Sequence, residues 1–230
     1  MDPSAREEGA SVRRVNTAAV RQGYTDGTRR LAMRSMTSLA RTRVTPNALT
    51  TAGVALCLAA AVLIPFEGRN EILFYWAAAA LFIVGSVLDI LDGALARSSG
   101  KATPFGAFLD SMSDRVSEGF VLGAIALVLA RQGHDVAVVF CVAAVAGSFL
   151  VSYARAKAEL IGLRGDVGIG SRAERVAVIS AGLILAPWVP LAWFIYLLAA
   201  TAWITVGQRI LHVRTQLLRH PGGTDGIDRR

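Results

Sequence analysis

The sequence predicts an all-α, polytopic membrane protein with six transmembrane helices, and three observations carry that prediction. Of the 230 residues, 53% are hydrophobic and only 18% are charged, against about 25% charged in an average soluble domain, and the mean hydropathy is +0.48. The apolar residues fall in long charge-free runs, and a run of roughly 20 such residues is what a bilayer crossing needs. The basic residues gather in alternate connections between those runs, the pattern of cytoplasmic loops. A disordered chain and a disulfide scaffold are excluded. Cys57 and Cys141 lie inside apolar runs and read as small buried hydrophobes.

Residues 1–20 are charged and poor in large apolar side chains, so a mobile cytoplasmic tail is expected there. Residues 21–45 are expected to carry an amphipathic helix lying in the membrane interface. On a helical projection Leu31, Ala32, Met36 and Leu39 share one side, and Arg30, Arg34 and Arg41 share the other. The transmembrane domain is placed at 46–213. Its first span, Asn47 to Phe66, is free of charge and ends at Pro65. The second is uncharged from Ile72 to Leu88, and its helical pattern continues through Arg97. The third runs from about Phe105 to Ala130 and is polar in its first half; the fourth, Val136 to about Glu159, carries Arg155 and Lys157 in its last turns. No charged residue occurs from Val176 to Gln208, too long a run for one helix, and Pro187 with Pro190 marks a hairpin between spans five and six. Residues 214–230 contain a Gly-Gly pair, end in two arginines and are expected to be a disordered tail.

Orientation follows from the arginines. Residues 1–46 hold nine of them, the 97–104 connection holds Arg97 and Lys101, the 155–175 region holds five basic residues, and five more begin at Arg209. The opposite connections hold only Arg69 and Arg131. Both termini are therefore expected in the cytoplasm, in a multi-pass protein of the cell membrane. The start of the chain has no signal-peptide pattern, so no cleaved leader is expected. A net charge of +7 could mark a nucleic-acid binder. Here the arginines flank apolar spans, which favours membrane lipids or an anionic substrate and no nucleic acid.

Asp89, Asp92, Asp110 and Asp114 fall within twenty-six residues at the ends of the second and third spans. Each acid near a bilayer centre costs about 2.5 to 3.5 kcal/mol on insertion scales. The i, i+3 and i, i+4 spacings put each pair on one helix face, and a short turn would bring the two faces together. Clustered carboxylates repel unless cations neutralise them. An all-oxygen donor set selects Mg2+, Mn2+ or Ca2+ over zinc. Two competing readings are neutralisation by Arg97 and Arg115, and a cation pathway through a divalent-cation transporter. Against the first, two arginines do not compensate four aspartates. Against the second, Gly93, Ala94, Ala96, Gly106 and Ala107 leave room for a bulky ligand.

The stretch Asp89-Ile-Leu-Asp92-Gly93-Ala-Leu-Ala96-Arg97, eight residues, then Gly106-Ala-Phe-Leu-Asp110-Ser-Met-Ser-Asp114 resembles the signature of the CDP-alcohol phosphatidyltransferases, D-x2-D-G-x2-A-R followed by G-x3-D-x3-D, at all eight positions. The resemblance implies a six-span enzyme, usually homodimeric, that displaces CMP from a CDP-linked lipid with an alcohol. It implies that Asp89, Asp92, Asp110 and Asp114 hold two Mg2+ ions, with Mn2+ as the alternative, and that Asp114 is also the general base. Two such ions can clamp a diphosphate. By the same resemblance Gly93, Arg97 and Thr103, with the turn Thr45-Pro46-Asn47-Ala48, form the CDP-diacylglycerol pocket. An N-cap with Pro in the first turn explains that last turn equally well.

The acceptor is read from the other cytoplasmic residues. Ser152 with Arg155, and Arg172 with Arg175, share faces at i and i+3; a hydroxyl beside several guanidiniums, joined by Arg209, is a pocket for a phosphate. Each of these arginines can also be a positive-inside anchor. The run from Ser152 to Gly168 and the following R-x-E-R resemble bacterial phosphatidylinositol phosphate synthases, a branch of the family. That likeness implies inositol 1-phosphate as acceptor, held by Ser152, Arg155, Arg175 and Arg209, with Arg172 and Lys157 as further candidates. Glycerol 3-phosphate, the acceptor of phosphatidylglycerophosphate synthases, is the alternative. The Gly165 to Gly170 stretch is expected to be a flexible loop first, with a phosphate cradle as the minor alternative.

Overall fold

The computed structural model describes residues 46–98 and 103–219. Among them there are six helices and no strand: α1 Pro46–Leu63, continued by a 3-10 turn Ile64–Phe66, α2 Glu71–Ser98, α3 Pro104–Arg131, α4 Asp135–Leu160, α5 Arg172–Leu185 and α6 Leu191–Arg219. The interfacial helix expected at 21–45, the tail at 1–20 and Thr45 lie outside the described residues. The helices begin and end where the local chemistry says they should. Pro104 opens α3 behind a Thr103 cap whose hydroxyl accepts from Gly106 N at 3.0 Å. Ser171 and Glu174 close a capping box on α5, with Ser171 N donating to Glu174 at 2.6 Å. Helix α5 therefore starts at Arg172, one turn ahead of the apolar run.

Four stretches are long and apolar enough to cross a membrane: Asn47–Phe66, Glu71–Ala96, Asp135–Leu160 and Leu191–Arg219, with mean hydropathies of 2.2, 1.9, 2.3 and 1.5. Helix α3 falls short because Asp110, Asp114, Arg115 and Glu118 fall between its second turn and its middle. Helix α5 has 14 residues, a rise of about 21 Å at 1.5 Å per residue. One expectation is corrected at the far end. Helix α6 continues to Arg219, past the boundary expected at 213, because its last turns dock a loop: Gln216 accepts from Arg164 N at 3.1 Å and donates to Arg164 O at 2.8 Å.

Helix α1 packs along α2 and against α3, while α2 and α3, neighbours in sequence, barely touch along their lengths. Helix α4 packs on α6, and α5 lies against α6 and α2. The α1–α2 crossing is set by Gly53 and Gly85. A Cβ on Gly85 would stand 2.6 Å from Gly53 O and 2.8 Å from Cys57 Sγ, so the backbones meet as small residues allow in membrane bundles. The apolar core fills one end of the bundle, with Ile64, Tyr75, Phe82, Leu122, Ile125, Leu129, Leu183, Ile195 and Leu198 all buried. The site occupies the other end.

Candidate active site

One turn from the Gly53–Gly85 crossing, the Thr50 hydroxyl donates to Asp92, which ties α1 to the last turns of α2. Asp89 and Asp92 are 5% and 3% exposed. Asp110 comes to them from the second turn of α3, and oxygen atoms of Asp89, Asp92 and Asp110 lie within 4.8 Å of one another. Asn47, at the start of α1, reaches the same corner: a Cβ on Gly106 would lie 3.6 Å from Asn47 Oδ1 and 3.1 Å from Thr103 Oγ1. The predicted members Asn47, Thr103 and Gly106 thus sit together at two adjoining helix N-termini. Ala48 is exposed beside Asn47, and Gly93 follows Asp92 in α2. The side chains of Pro46 and Arg97 lie outside the described residues.

The three gathered carboxylates fit a divalent cation: hard oxygen donors, no thiol or imidazole, and separations that one small ion can span. Asp114 stands one turn further along α3. Its Oδ1 lies 2.6 Å from Arg172 Nη2, while Arg172 Nη1 donates to Asp89. The Arg172–Asp114 contact is ionic rather than an aligned hydrogen bond, and Asp114 Oδ1 is buried without an aligned donor among the described residues. Of the two arginines in the neutralisation reading, Arg115 is described and does not neutralise the aspartates, while the Arg97 side chain lies outside the described residues. Arg115 turns back to Ser111 O on its own helix, and Arg172 of α5 supplies the positive charge instead.

The predicted acceptor residues converge less simply. Ser152 donates to Ser148 O at 3.2 Å. Arg155 Nε pairs with Glu159 at 2.8 Å on the exposed surface. Arg209, 7% exposed, donates from Nε to Val167 O at 2.9 Å and from Nη1 to Val151 O; Arg155 and Arg175 are the cations whose charge it feels. Arg175 is 5% exposed and holds Glu118 with two bonds, Nε to Oε1 at 2.7 Å and Nη2 to Oε2 at 3.0 Å, with Nη1 on Gly170 O at 2.9 Å. The 165–170 stretch is pinned, contrary to a flexible loop. Gly170 N donates to Thr205 Oγ1 at 2.8 Å, and Gly168 (φ +117°) leaves a Cβ only 2.4 Å from Thr205 Cγ2. Sequence reasoning missed Glu118, Thr50 and the placement of Arg172. For Glu118 a signal existed, since Asp110, Asp114 and Glu118 recur every four residues on one face of α3.

A helical bundle with four membrane-length spans, a carboxylate cluster that fits a divalent cation and a neighbouring set of arginines define a membrane enzyme acting on phosphorylated substrates. The comparisons agree and are more specific. Residues 43–215 match the CDP-alcohol phosphatidyltransferase family. The chain is 38% identical over 197 residues to the phosphatidylinositol phosphate synthase of Mycobacterium marinum, covering 81% of this chain and 79% of the relative. It is 39% identical over 182 residues to the archaetidylinositol phosphate synthase of Pyrococcus horikoshii, covering 78% and 89%. The crystal structure of the Mycobacterium tuberculosis phosphatidylinositol phosphate synthase with CDP-DAG bound superposes with a TM-score of 0.69 at 32% identity, covering 80% of this chain and 94% of that one. The same enzyme with manganese and citrate gives a TM-score of 0.68 at 32% identity, covering 80% and 89%. The chain belongs to the CDP-alcohol phosphatidyltransferase family. It is a transferase of phospholipid biosynthesis, and the transporter reading is set aside.

Proposed function

We propose that the protein transfers the phosphatidyl group of CDP-diacylglycerol to inositol 1-phosphate, giving phosphatidylinositol phosphate and CMP. The observation that carries the reading is Arg172. It touches Asp89 and Asp114 and stands three residues from Arg175 on α5, so the carboxylate cluster and the acceptor arginines are separated by about one helical turn, or 5 Å. A donor diphosphate and an acceptor phosphate fit side by side across that distance. The names of both curated relatives join different lipid halves to the same inositol phosphate, which supports the acceptor.

In this reading Asp89, Asp92 and Asp110, with Asp114, hold two Mg2+ ions, Mn2+ being the alternative that the manganese-bound neighbour supports. When bound, the ions supply charge neutralisation at the diphosphate. The chain's own groups do the rest. The Asp114 carboxylate takes the proton of an inositol hydroxyl. That oxygen forms a bond to the lipid-side phosphorus as the bond from phosphorus to the CMP oxygen breaks. Arg97 would pair with a diphosphate oxygen and balance the charge on the phosphate that leaves with CMP. Thr45, Pro46, Asn47, Ala48, Gly93 and Thr103 line the CDP side, and Ser152, Arg155, Arg175 and Arg209 hold the inositol phosphate.

The enzyme works as a homodimer in the cell membrane. All six helices of the domain cross it, and an interfacial helix precedes them. The positive-inside distribution supports cytoplasmic termini and a cytoplasmic site. Purified enzyme in lipid vesicles with CDP-diacylglycerol and Mg2+ is expected to release CMP on addition of inositol 1-phosphate. CMP release with glycerol 3-phosphate and none with inositol 1-phosphate would replace the acceptor.

A further inference from the structure

Glu118 lies outside the signature, yet it is the carboxylate on which three helices converge. It continues the Asp110, Asp114 face of α3 by one more turn. It is 8% exposed and accepts three hydrogen bonds: two from Arg175 of α5, and one at 2.8 Å from Ser148 Oγ of α4. A buried ion pair of this kind is weak evidence for stability, because desolvation offsets most of the attraction. Its geometry has another consequence. Of the five N–H groups of Arg175, three are engaged by Glu118 and Gly170 O, which fixes the guanidinium plane and leaves one N–H on each terminal nitrogen. Arg209, buried on Val167 O and Val151 O, is a second cation close to Arg175. A long arginine side chain beside another cation would otherwise swing away from it. Ser148, the second partner of Glu118, is one turn before Ser152 on α4.

We propose that Glu118 is a positioning residue for the acceptor: through Arg175 it holds one guanidinium, and through Ser148 one face of α4, in the register that captures the acceptor's phosphate. This rests on the acceptor pocket read above. Asp114 and Glu118 then divide one face of α3, the first serving the hydroxyl of the acceptor and the second serving its phosphate through Arg175.

The test measures CMP release by the full chain in vesicles, varying inositol 1-phosphate and CDP-diacylglycerol separately. Glu118→Gln is expected to raise the KM for inositol 1-phosphate about tenfold or more, the loss usual for a charged partner in a buried pair, with the KM for CDP-diacylglycerol and Mn2+ binding by calorimetry unchanged. In an Arg175→Ala background the same substitution should add little, since it acts through that residue. Glu118→Asp, which keeps the charge, should restore part of the loss, and it carries the test if the Gln variant does not fold. Equal rises in both KM values, or full additivity with Arg175→Ala, would overturn the role of Glu118. An unchanged acceptor KM in Arg175→Ala itself would instead overturn the pocket, and the Glu118 proposal with it. If the wild-type chain turns over glycerol 3-phosphate alone, the same series on that substrate decides the role.

Discussion

Each of the six helices runs through two unlike halves of the bundle. In one half Tyr75, Phe82, Leu122, Ile125, Leu129, Leu183, Ile195 and Leu198 are buried against one another. In the other, beside a few apolar residues such as Leu95 and Val151, the buried side chains include Thr50, Ser86, Asp89, Asp92, Ser113, Ser117, Glu118, Ser148, Arg175, Thr205 and Arg209. Helix α5 makes the contrast within a few turns, from Arg172 and Arg175 at its start to Ile179 and Leu183 further on. The apolar half is held by packing, which is non-directional and tolerant of small shifts in position. The polar half is held by pairing, where desolvation cancels much of the gain and geometry is strict. Stability and chemistry are thereby separated along the helix axes, and a substitution should damage one or the other according to which half it enters.

The largest separation is expected from Asp114→Asn. Removing the base should lower CMP release at least about 10³-fold, roughly 4 kcal/mol in the barrier, while the melting temperature in detergent stays near that of the unaltered chain. Retained activity would remove Asp114 as the base. Loss of the folded state would show that the polar half carries stability after all.

The two halves were also unequally legible in the sequence. Helices follow from uncharged runs with their prolines and caps, so Pro46, Pro104 and the Pro187–Pro190 hairpin fall at helix ends in the structure. The carboxylate face follows from spacing along single helices, and Asp89, Asp92 and Asp110 do meet. The pairings between helices had no local signal. Glu118 and Arg175 are 57 residues apart, and Arg172 and Asp89 are 83 apart. Nothing near Arg172 distinguishes a side chain that crosses to the aspartates from one that faces a substrate. The pinned 165–170 loop was missed for the same reason, because its partners Thr205 and Arg209 lie on α6.

In the apolar half, Leu122→Ala should give the mirror image of the Asp114 result. Leu122 is fully buried, and truncating such a residue costs about 3 kcal/mol through lost contacts and the cavity left behind. Lipid replaces water as the reference for part of this surface, so packing rather than transfer from water dominates the loss. Unfolding in detergent should shift accordingly, with both KM values unchanged. A change in either KM would mean that the halves are mechanically coupled.

Gly85 stands at the border of the two halves, and Gly85→Ala asks whether that border is sharp. The added Cβ would fall 2.6 Å from Gly53 O and 2.8 Å from Cys57 Sγ, so α1 and α2 must separate, at a cost of about 2 kcal/mol for overpacking of this kind. The same separation would lengthen the Thr50–Asp92 hydrogen bond, which joins the two helices within the carboxylate cluster. Both readouts should therefore move together: a lower melting temperature, and weaker binding of Mn2+ by calorimetry. If stability falls while Mn2+ binding holds, the crossing belongs to the apolar half alone, and α3 rather than α1 fixes the cluster.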